Sequence, residues 1–588
     1  MNFLFLIYSI LSNAVEISKN SAIQYSRSAS IIYLLPMIFV FSIFDFYFYE
    51  KSISLFNGLI YCSVHNLVFI FFIFLLSFFI ILLTSFYPVS LNIYKKDESE
   101  EISSDTSTEN VFTLKDLFQS ERDHYKIIEY SLITQFIIIG GMCLLSSNDL
   151  VTIFLSIELQ SYGLYILSTV YRDSESSTGA GLTYFLLGGL SSCIILLGLS
   201  FLYINSGTTN LDSLYIIYNI TTSDENLFSM LTYNGIEQQN NLINSLVPII
   251  SLNYYQYAIQ FSLVILAVGF LFKISASPFH SWSPGVYDAI PTVTTTFVAI
   301  IPKVSIFILL FDLVYSTWYT TFTYSWTSIL LFSSFLSLII GSVLGLTQFR
   351  IKRLYAYSTI SHVGFILLAL SIHSVESTQA FFFYLIQYSL SNLNAFLILV
   401  LIGYSYISYL KKTKKHESIL SLYKEYKDKI SQLSPLEYID NLKGYFYLNP
   451  ILAISLSITL YSFIGVPPLV GFFAKQMVLS SALDNGDIFI CLIAILTSVV
   501  SAVYYLYIVK HMFFEKSKFK GLNSLLNRIA NNQIKNLSLT NNSYATTLTL
   551  SSVLTVLVSI LSLTMLLFIF LYYEIYFLMN ILSIILIY

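Results

Sequence analysis

The sequence predicts an all-α protein that crosses a lipid bilayer many times, and three observations support this prediction. Of the 588 residues 56% are hydrophobic and only 11% are charged, whereas about a quarter of the residues of a soluble domain are charged. Apolar stretches of about 20 residues, the length that crosses ~30 Å of hydrocarbon as a helix, recur from end to end. They lack the strict alternation of a membrane β-barrel.

The apolar runs predict about 14 transmembrane helices. They lie near residues 1–18, 29–49, 66–87, 126–145, 149–170, 179–204, 256–280, 291–314, 325–347, 354–372, 378–408, 450–483, 487–514 and 546–578. Nearly all of the 29 Lys and Arg residues fall in loops after odd-numbered helices, and the long 205–255 connection contains no Lys or Arg. Because basic loops stay on the inner side, we expect both termini to face the exterior.

Composition excludes several classes of function. The four cysteines stand singly, at positions 62, 143, 193 and 491, which excludes a local run of zinc or iron–sulfur ligands. No Walker or GxGxxG stretch follows a strand-like segment, so we expect no nucleotide-binding site. With a net charge of -4 and no basic face, the chain is not expected to bind nucleic acid. We therefore predict no cofactor and no metal in this chain.

The start of the chain, MNFLFLIYSIL, shows no Arg-rich presequence and no cleavage site for a signal peptide. The 46 Tyr and 49 Phe residues favour A/T-rich codons and suggest an organelle genome, although aromatic belts at the membrane interfaces explain them equally well.

Four ionisable residues lie well inside apolar runs: Glu158, Lys273, Lys303 and Lys475. A charge at the bilayer centre costs ~2.5–3.5 kcal/mol on insertion scales, so each residue needs a polar partner, water or a neutral state. A static buried pair or a side chain that reaches the interface would explain any one of them. Taken together, the four residues indicate groups that exchange and relay protons.

Proline positions predict that two of the helices are discontinuous. Lys273 is followed by Pro278, Pro284 and Pro291 in FKISASPFHSWSPGVYDAIPT, and each proline removes a donor from the helical ladder. Freed backbone groups at that depth are tolerated only around a protein-lined or watered cavity. His280, seven residues after Lys273, is expected on nearly the same helix face. Whether His280 relays protons or only fills space is left open.

The twelfth predicted helix repeats this pattern in reverse order. Gly465 and the pair Pro467-Pro468 interrupt it, and Lys475 follows the interruption. Two interrupted segments five helices apart indicate inverted repeats, here residues 126–315 and 325–514. Residues 1–125 would add three helices and a polar loop, and residues 515–588 a loop and the last helix.

Two further positions lie near the centre of the predicted bundle. Lys303 follows Pro302, which cannot donate a hydrogen bond and should free the carbonyl of Val298. His362 lies in the second predicted repeat where Glu158 lies in the first. For His362, relay and packing roles again remain open.

These residues resemble the antiporter-like membrane subunits of proton-pumping NADH:ubiquinone oxidoreductase, respiratory complex I. The likeness includes SIEL in the fifth helix, FKISASPFHSWSPGVYDAIPT, IIPKVSIF, KRLYAYSTISHVGF and GVPPLVGFFAKQMVLSSAL. It extends over most of residues 126–514. The FK-x4-PFH-x-W-x-P-x-VY stretch is specific to these subunits and to their cation/proton antiporter relatives.

The resemblance implies a role for each matching residue. Glu158 would be the ion-pair partner that modulates Lys273, Lys303 would be the bridging lysine, and Lys475 the terminal one. A lysine at position 475, together with a chain that stops soon after the last predicted helix, favours the subunit 2 type. Flavin, iron–sulfur clusters and ubiquinone would belong to other subunits of the complex. The resemblance also implies a multi-pass protein of the mitochondrial inner membrane, with both termini facing the intermembrane space.

The resulting hypothesis is a proton-translocating subunit that carries no redox centre, contacts other membrane-arm subunits and lipid, and does not function alone. Two alternatives stay open at this point. One is a subunit of a multi-subunit cation/proton antiporter with the same motifs. The other is a membrane scaffold whose buried charges form static pairs.

Overall fold

The structure is a computed structural model in which the described residues are 7, 21–44, 53–85, 89–90, 129–171, 174–217, 242–316, 326–413, 436–515, 550–551 and 553–587. Apart from residue 7, the predicted helix at 1–18 lies outside them. Most of the predicted polar loops at 88–125 and 409–448 also lie outside the described residues.

Helices dominate the described part of the chain. The first half contains α1 (Ser21–Phe44), α2 (Val64–Ser85), α3 (Glu129–Leu145), α4 (Leu150–Thr169), α5 (Glu175–Ser206), α6 (Leu242–Ile274), α7 (Trp282–Ala289) and α8 (Thr292–Ser316). The second half contains α9 (Thr327–Leu346), α10 (Ile351–Ile372), α11 (Val375–Thr413), α12 (Pro450–Ile464), α13 (Val470–Asp484), α14 (Ile488–Phe513), α15 (Val553–Leu566) and α16 (Phe568–Ile587). Two antiparallel ribbons pair β1 (Ile53–Leu55) with β2 (Ile60–Cys62) and β3 (Val89–Ser90) with β4 (Leu550–Ser551).

Nine helices of the described ranges are long and apolar enough to cross a membrane, and the bent pair α15–α16 would add a tenth. Helices α3 and α12 are apolar but shorter. The chain is therefore a polytopic α-helical membrane protein, as its composition predicts. The count of 14 helices stays a prediction.

The centre of the bundle is formed by α8, α10 and α11. Neighbouring helices bury 94% of the apolar segment of α8 and 89% of those of α10 and α11, against 33% for α5 and 39% for α14. Helices such as α5 and α14 thus present apolar surface to lipid, where no hydrophobic effect opposes exposure. The central helices contain Lys303 and His362, so these residues lie far from the lipid.

Both predicted interruptions are present. Helix α6 ends at Ile274, Ser275 adopts a left-handed φ of 64°, and α7 begins at Trp282. Helix α12 ends at Ile464 and is capped by Gly465, whose φ is 89° and whose N–H donates to the Tyr461 carbonyl. Helix α13 starts five residues later, at Val470.

Two details of the first interruption differ from the prediction. Pro284 does not break a helix, because it lies in the first turn of α7, where the backbone N–H groups have no intrahelical acceptor. His280 does not share a helix face with Lys273, because α6 ends at Ile274 and the chain turns before it reaches His280. The periodicity argument assumed a helix that continued to residue 280.

Connecting segments meet in two separate groups. Residues 60, 147–149 and 209–211 contact one another through bridges between Ile60 and Ser147 and between Asp149 and Asn210. The segments before α10 and before α12 also meet the last turn of α14, through a bridge between Arg350 and Tyr438 and a bond from Gly444 N to His511 O. The predicted topology would place the first group on the outer side and the second on the inner side, and this orientation stays a prediction.

The end of the chain differs from the single helix expected at 546–578. Helices α15 and α16 meet at Leu567 at an angle of 81°. Asn580 Oδ1 and Ser583 Oγ of α16 lie 2.8 and 3.3 Å from Gln379 Nε2 at the start of α11. This contact holds α16 against a helix that lies about 200 residues earlier, so the local apolar sequence could not reveal the bend.

Candidate functional site

Lys273 lies in the last turn of α6, immediately before the first interruption. Its Nζ is 3.1 Å from the hydroxyl of Tyr165 on α4. The same ammonium lies 5.6 Å from the centre of the Tyr165 ring, within cation–π range. A tyrosine, rather than a carboxylate, is therefore the direct partner of Lys273.

Glu158 lies on α4 seven residues before Tyr165, on the same helix face. It is within electrostatic range of both Lys273 and Tyr165. The ion pairs shorter than 4.0 Å in the described ranges do not include Glu158 and Lys273. One buried carboxylate oxygen of Glu158 has no hydrogen-bond partner. The structure thus places Tyr165 next to Lys273 and gives Glu158 an indirect position.

A row of aromatic rings runs from Tyr165 to the surroundings of Lys303. The Tyr165 and Tyr184 ring centres are 4.9 Å apart, and Tyr184 stacks on Trp282 at 4.8 Å. Trp282 lies 6.4 Å from Tyr287, whose ring centre is 5.8 Å from Lys303 Nζ. The rings on the short helix α7 therefore connect the surroundings of the two lysines.

Trp282 also fixes the first interruption. Its indole Nε1 donates to the Phe272 carbonyl at 3.0 Å, in the last turn of α6. The four last carbonyls of a helix have no intrahelical partner and must find another donor. Trp282 satisfies one of them and holds the start of α7 against the end of α6.

His280 lies in the interruption itself. Its ring centre is 6.5 Å from that of Tyr357 on α10. Its Nδ1 is buried without a hydrogen-bond partner. The contacts described for this ring do not include any of the lysines, so a relay role for His280 remains a prediction.

Lys303 lies in the middle of α8 and is 1% exposed. Its Nζ is 3.3 Å from Thr359 Oγ1 on α10. Two residues further along α8, Ser305 Oγ is 3.1 Å from Gln160 Oε1 on α4, the helix that contains Glu158. Lys303 is thus placed between the helix of Glu158 and the helix of His362.

His362 is buried one turn beyond Thr359 on α10. Its Nδ1 lies 2.8 Å from the hydroxyl of Tyr384 on α11, while its Nε2 has no hydrogen-bond partner. The Tyr388 ring lies 6.2 Å away, and the Tyr388 hydroxyl is 3.4 Å from the Ala299 carbonyl of α8. His362 therefore lies on the side of α10 that leads from Lys303 toward α11.

Lys475 lies in α13, just after the second interruption, and is 8% exposed. Its Nζ donates to the carbonyls of Phe463 and Ile464, both at 2.9 Å. These two carbonyls end α12, where the helix dipole favours a positive charge. The Lys475 ammonium also lies 5.4 Å from the Phe365 ring centre. Lys475 thus caps one half of the broken helix from the other half.

Two buried polar atoms beside the second interruption have no protein partner. They are Gln387 Oε1 and Ser462 Oγ, and both residues lie next to Gly471 at the start of α13. Gln387 Nε2 lies 3.4 Å from Ser391 Oγ. Polar groups with free hydrogen-bonding capacity therefore lie beside the second interruption.

Sequence reasoning missed Tyr165, Thr359, Tyr384 and Lys352. The spacing could have revealed the first two. Tyr165 follows Glu158 by seven residues and Thr359 precedes His362 by three, so each shares a helix face with a predicted site residue. Tyr384 had none, because nothing distinguishes it among the 46 tyrosines. Lys352 was grouped with the basic loop residues, yet it lies in the first turn of α10 and is 2% exposed.

Groups of three or more His, Cys, Asp and Glu that could hold a metal ion are absent from the described residues. The buried functional side chains are lysines, tyrosines, histidines and threonines. These groups carry and exchange protons but make poor ligand sets for hard cations or clusters. The arrangement is suited to proton transfer between buried amines across hydroxyl and imidazole groups.

A family model described as "NADH:quinone oxidoreductase/Mrp antiporter, TM" matches residues 147–501, which include every one of these side chains. The chain belongs to that family. Its relatives include NADH-ubiquinone oxidoreductase chain 2 of Rhizopus oryzae, 45% identical over 417 residues, which are 71% of this chain and 70% of the relative. NADH-quinone oxidoreductase subunit N of Pelagibacter ubique is 34% identical over 67% of this chain and 70% of the relative.

Solved structures share the fold of this NADH:quinone oxidoreductase/Mrp antiporter family member. A chain of respiratory complex I from Thermus thermophilus with bound Aureothin has a TM-score of 0.59 at 22% identity, covering 88% of this chain and 90% of that chain. A chain of the membrane-bound sulfane sulfur reductase, an archaeal respiratory membrane complex, has a TM-score of 0.68 at 17% identity, covering 100% and 96%. At these identities the likeness concerns the fold alone.

Proposed function

We propose that this chain is the antiporter-like subunit 2 of NADH:ubiquinone oxidoreductase, where it translocates protons and performs no redox chemistry. The observation that supports this best is Lys303, a lysine 1% exposed at the centre of the bundle, with a neutral hydroxyl rather than a carboxylate as its hydrogen-bond partner. A static structural charge would be expected to have a counterion. The 45% identity to a chain 2 protein favours this complex over a stand-alone antiporter.

The proposed path begins at Lys273, which takes a proton from the inner side. Glu158 tunes the affinity of Lys273 through the intervening Tyr165. The proton then passes to Lys303 and, past Thr359, to His362. It leaves through Lys475, the terminal lysine. His280 stands beside this path, in the first interruption.

The energy for this transfer has to come from partner subunits. Moving one charge against the membrane potential costs ~2.3 kcal/mol per 100 mV, and this chain has neither a nucleotide motif nor a described metal cluster. Flavin, iron–sulfur clusters and ubiquinone would be held by other subunits. The chain would lie in the mitochondrial inner membrane, with both termini in the intermembrane space.

We also propose the domain division 1–125, 126–315, 325–514 and 515–588, with the two central parts as inverted repeats. Three helices, a broken helix and one further helix follow one another in α3–α8 and again in α9–α14. The lysine precedes the interruption in the first repeat and follows it in the second. Because the two broken helices would cross the membrane in opposite directions, this order would place both lysines on the same membrane side of their interruptions.

Replacing Lys303 tests the proposed function. In the assembled complex reconstituted into vesicles, Lys303→Met should lower the number of protons pumped per NADH oxidised, because methionine fills the same space but carries no proton. Lys510→Gln, at an exposed inner position near the end of α14, is the matched control and should pump as the wild type does. A wild-type ratio in a fully assembled Lys303→Met complex would support the static scaffold instead.

The second candidate, a subunit of a cation/proton antiporter, shares the matching family model. A chain of the Mrp complex from Dietzia shares the fold with a TM-score of 0.61 at 15% identity. Purification in mild detergent separates the two candidates. Copurification of flavin and iron–sulfur absorbance with this chain would exclude the antiporter.

A further inference from the structure

Lys352 is buried like Lys303 and Lys475 but lies outside the proposed path. It lies in the first turn of α10 and is 2% exposed. Its Nζ donates to the Ile290 carbonyl at 2.6 Å. Ile290 ends α7 in an extended conformation, immediately before Pro291 and α8. Lys352 therefore joins α10 to the short helix that lies between the surroundings of Lys273 and Lys303.

The charged groups around Lys352 leave it without a counterion in contact. Asp288 and Glu437 lie within electrostatic range, but the Asp288 carboxylate is 2.6 Å from Arg350 Nη1 and 2.9 Å from Arg353 Nε. Both guanidinium groups are more than 40% exposed, whereas Asp288 is 7% exposed. Within the described ranges, the ion pairs shorter than 4.0 Å do not include Lys352. Lys352 is thus a buried amine one layer beneath a hydrated, basic surface.

A stripe of polar side chains leads inward from Lys352 along α10. Tyr355, Thr359 and His362 follow it at spacings of three, seven and ten residues, which place all four on one face of the helix. Ten residues span about 15 Å of helix, half of the ~30 Å hydrocarbon thickness. The stripe therefore runs from the first turn of α10 to the depth at which Thr359 contacts Lys303.

A buried hydroxyl without a protein partner connects the surroundings of Lys352 and Lys303. It belongs to Tyr287, whose OH has no hydrogen bond. The Tyr287 ring centre is 5.8 Å from Lys303 Nζ, and Tyr287 lies on α7 three residues before Ile290, whose carbonyl Lys352 contacts. Buried hydroxyls are normally hydrogen-bonded, and internal water is their usual partner when the protein supplies none. Tyr287 thus marks a wet connection between the two lysines.

We propose that Lys352 is a proton-loading residue that supplies Lys303 from the inner side, in addition to the path that begins at Lys273. This inference rests on the proposed function and on the orientation given by the positive-inside rule. A proton from the inner water binds the neutral Lys352 amine. The ammonium then releases it to water held by Tyr287, this water passes a proton on, and the neutral Lys303 amine takes it up. Lys352 ends neutral, ready for the next proton.

The variant Lys352→Arg tests this role in the assembled complex, reconstituted into vesicles. Arginine keeps the positive charge and a donor for the Ile290 carbonyl, but it cannot release its proton. The number of protons pumped per NADH oxidised should fall below the wild-type value but stay above that of a Lys303→Arg complex, because Lys273 still supplies Lys303. Lys443→Gln is the matched control, since Lys443 is an inner-side lysine paired with Asp440 and Glu515, and it should retain the wild-type ratio.

Wild-type pumping by Lys352→Arg, with reduced pumping by Lys303→Arg, would overturn the loading role and leave Lys352 as a static link between α10 and α7. Wild-type pumping by both variants would instead overturn the proposed function. If Lys352→Arg fails to assemble, Tyr287→Phe decides the question, because it removes only the hydroxyl of the wet connection. Tyr287→Phe should reduce the ratio, and a wild-type ratio in that complex would also overturn the loading role.

Discussion

The two broken helices each have a lysine beside the interruption, but a different group bonds the last carbonyls of the helix in each case. At the first interruption Trp282 satisfies a carbonyl at the end of α6, and Lys273 is left to contact the Tyr165 hydroxyl. At the second interruption Lys475 itself satisfies the last carbonyls of α12. Lys273 therefore has a side-chain partner, whereas Lys475 caps a helix by binding its last carbonyls.

Because of this difference, we expect Lys273 to matter for proton transfer and Lys475 to matter for both proton transfer and the stability of the protein. The contact of Lys273 with a phenol can be lost without leaving helix carbonyls unpaired. Loss of the Lys475 ammonium leaves two buried carbonyls without a donor, and each such group costs ~1–3 kcal/mol. We therefore expect substitutions at the second interruption to affect assembly as well as pumping, and those at the first to affect mainly pumping.

The largest difference is expected between two glycines. A Cβ at Gly471 in the first turn of α13 would lie 1.7 Å from the Ser462 carbonyl oxygen of α12, whereas a Cβ at Gly285 in α7 would meet nothing within 4 Å. Gly471→Ala has to push the two halves of the helix apart and should destabilise the protein by more than ~4 kcal/mol. The amount of assembled complex on a native gel measures this effect. Normal assembly of Gly471→Ala, or lost assembly of Gly285→Ala, would contradict the expected contrast.

The next difference concerns the two lysines. Lys475→Met should abolish pumping and also lower stability by ~1–3 kcal/mol, because the unpaired carbonyls outweigh the relief of a buried charge. Lys273→Met should lower pumping with a stability change below ~1 kcal/mol. Protons pumped per NADH and the temperature of half-inactivation separate the two effects. Equal thermal shifts in the two variants would mean that Lys475 has no capping role.

The smallest expected effect is at Trp282. Trp282→Phe keeps an aromatic ring next to Tyr184 but removes the indole donor to the Phe272 carbonyl. That carbonyl keeps its bond from Ser275 N at 3.1 Å, so the loss should be only ~0.5–1.5 kcal/mol. Thermal inactivation of the assembled complex measures it, and Phe201→Leu on the lipid-facing helix α5 provides a control. A loss as large as that of Lys475→Met would show that the first interruption depends on its cap just as strongly.

Sequence reasoning reached the ionisable residues but not their partners. Glu158, Lys273, Lys303 and Lys475 stand out because a charge in an apolar run is costly wherever the run folds. Tyr165 and Tyr384 do not stand out, because a buried tyrosine carries no such cost and its role depends on what its hydroxyl meets. Lys273 and Tyr165 are 108 residues apart in the chain, and Lys303 and Thr359 are 56 apart.

The sequence by itself determined the all-α membrane class, the two interruptions and the charges beside them. Each follows from a local property: the length of an apolar run, the missing N–H of proline, or the cost of an isolated charge. Only the tertiary structure decided that Lys475 caps a helix, that Tyr165 meets Lys273, that Lys352 is buried, and that the last helix bends at Leu567. These four features depend on contacts between segments that are distant in sequence, which no local pattern encodes.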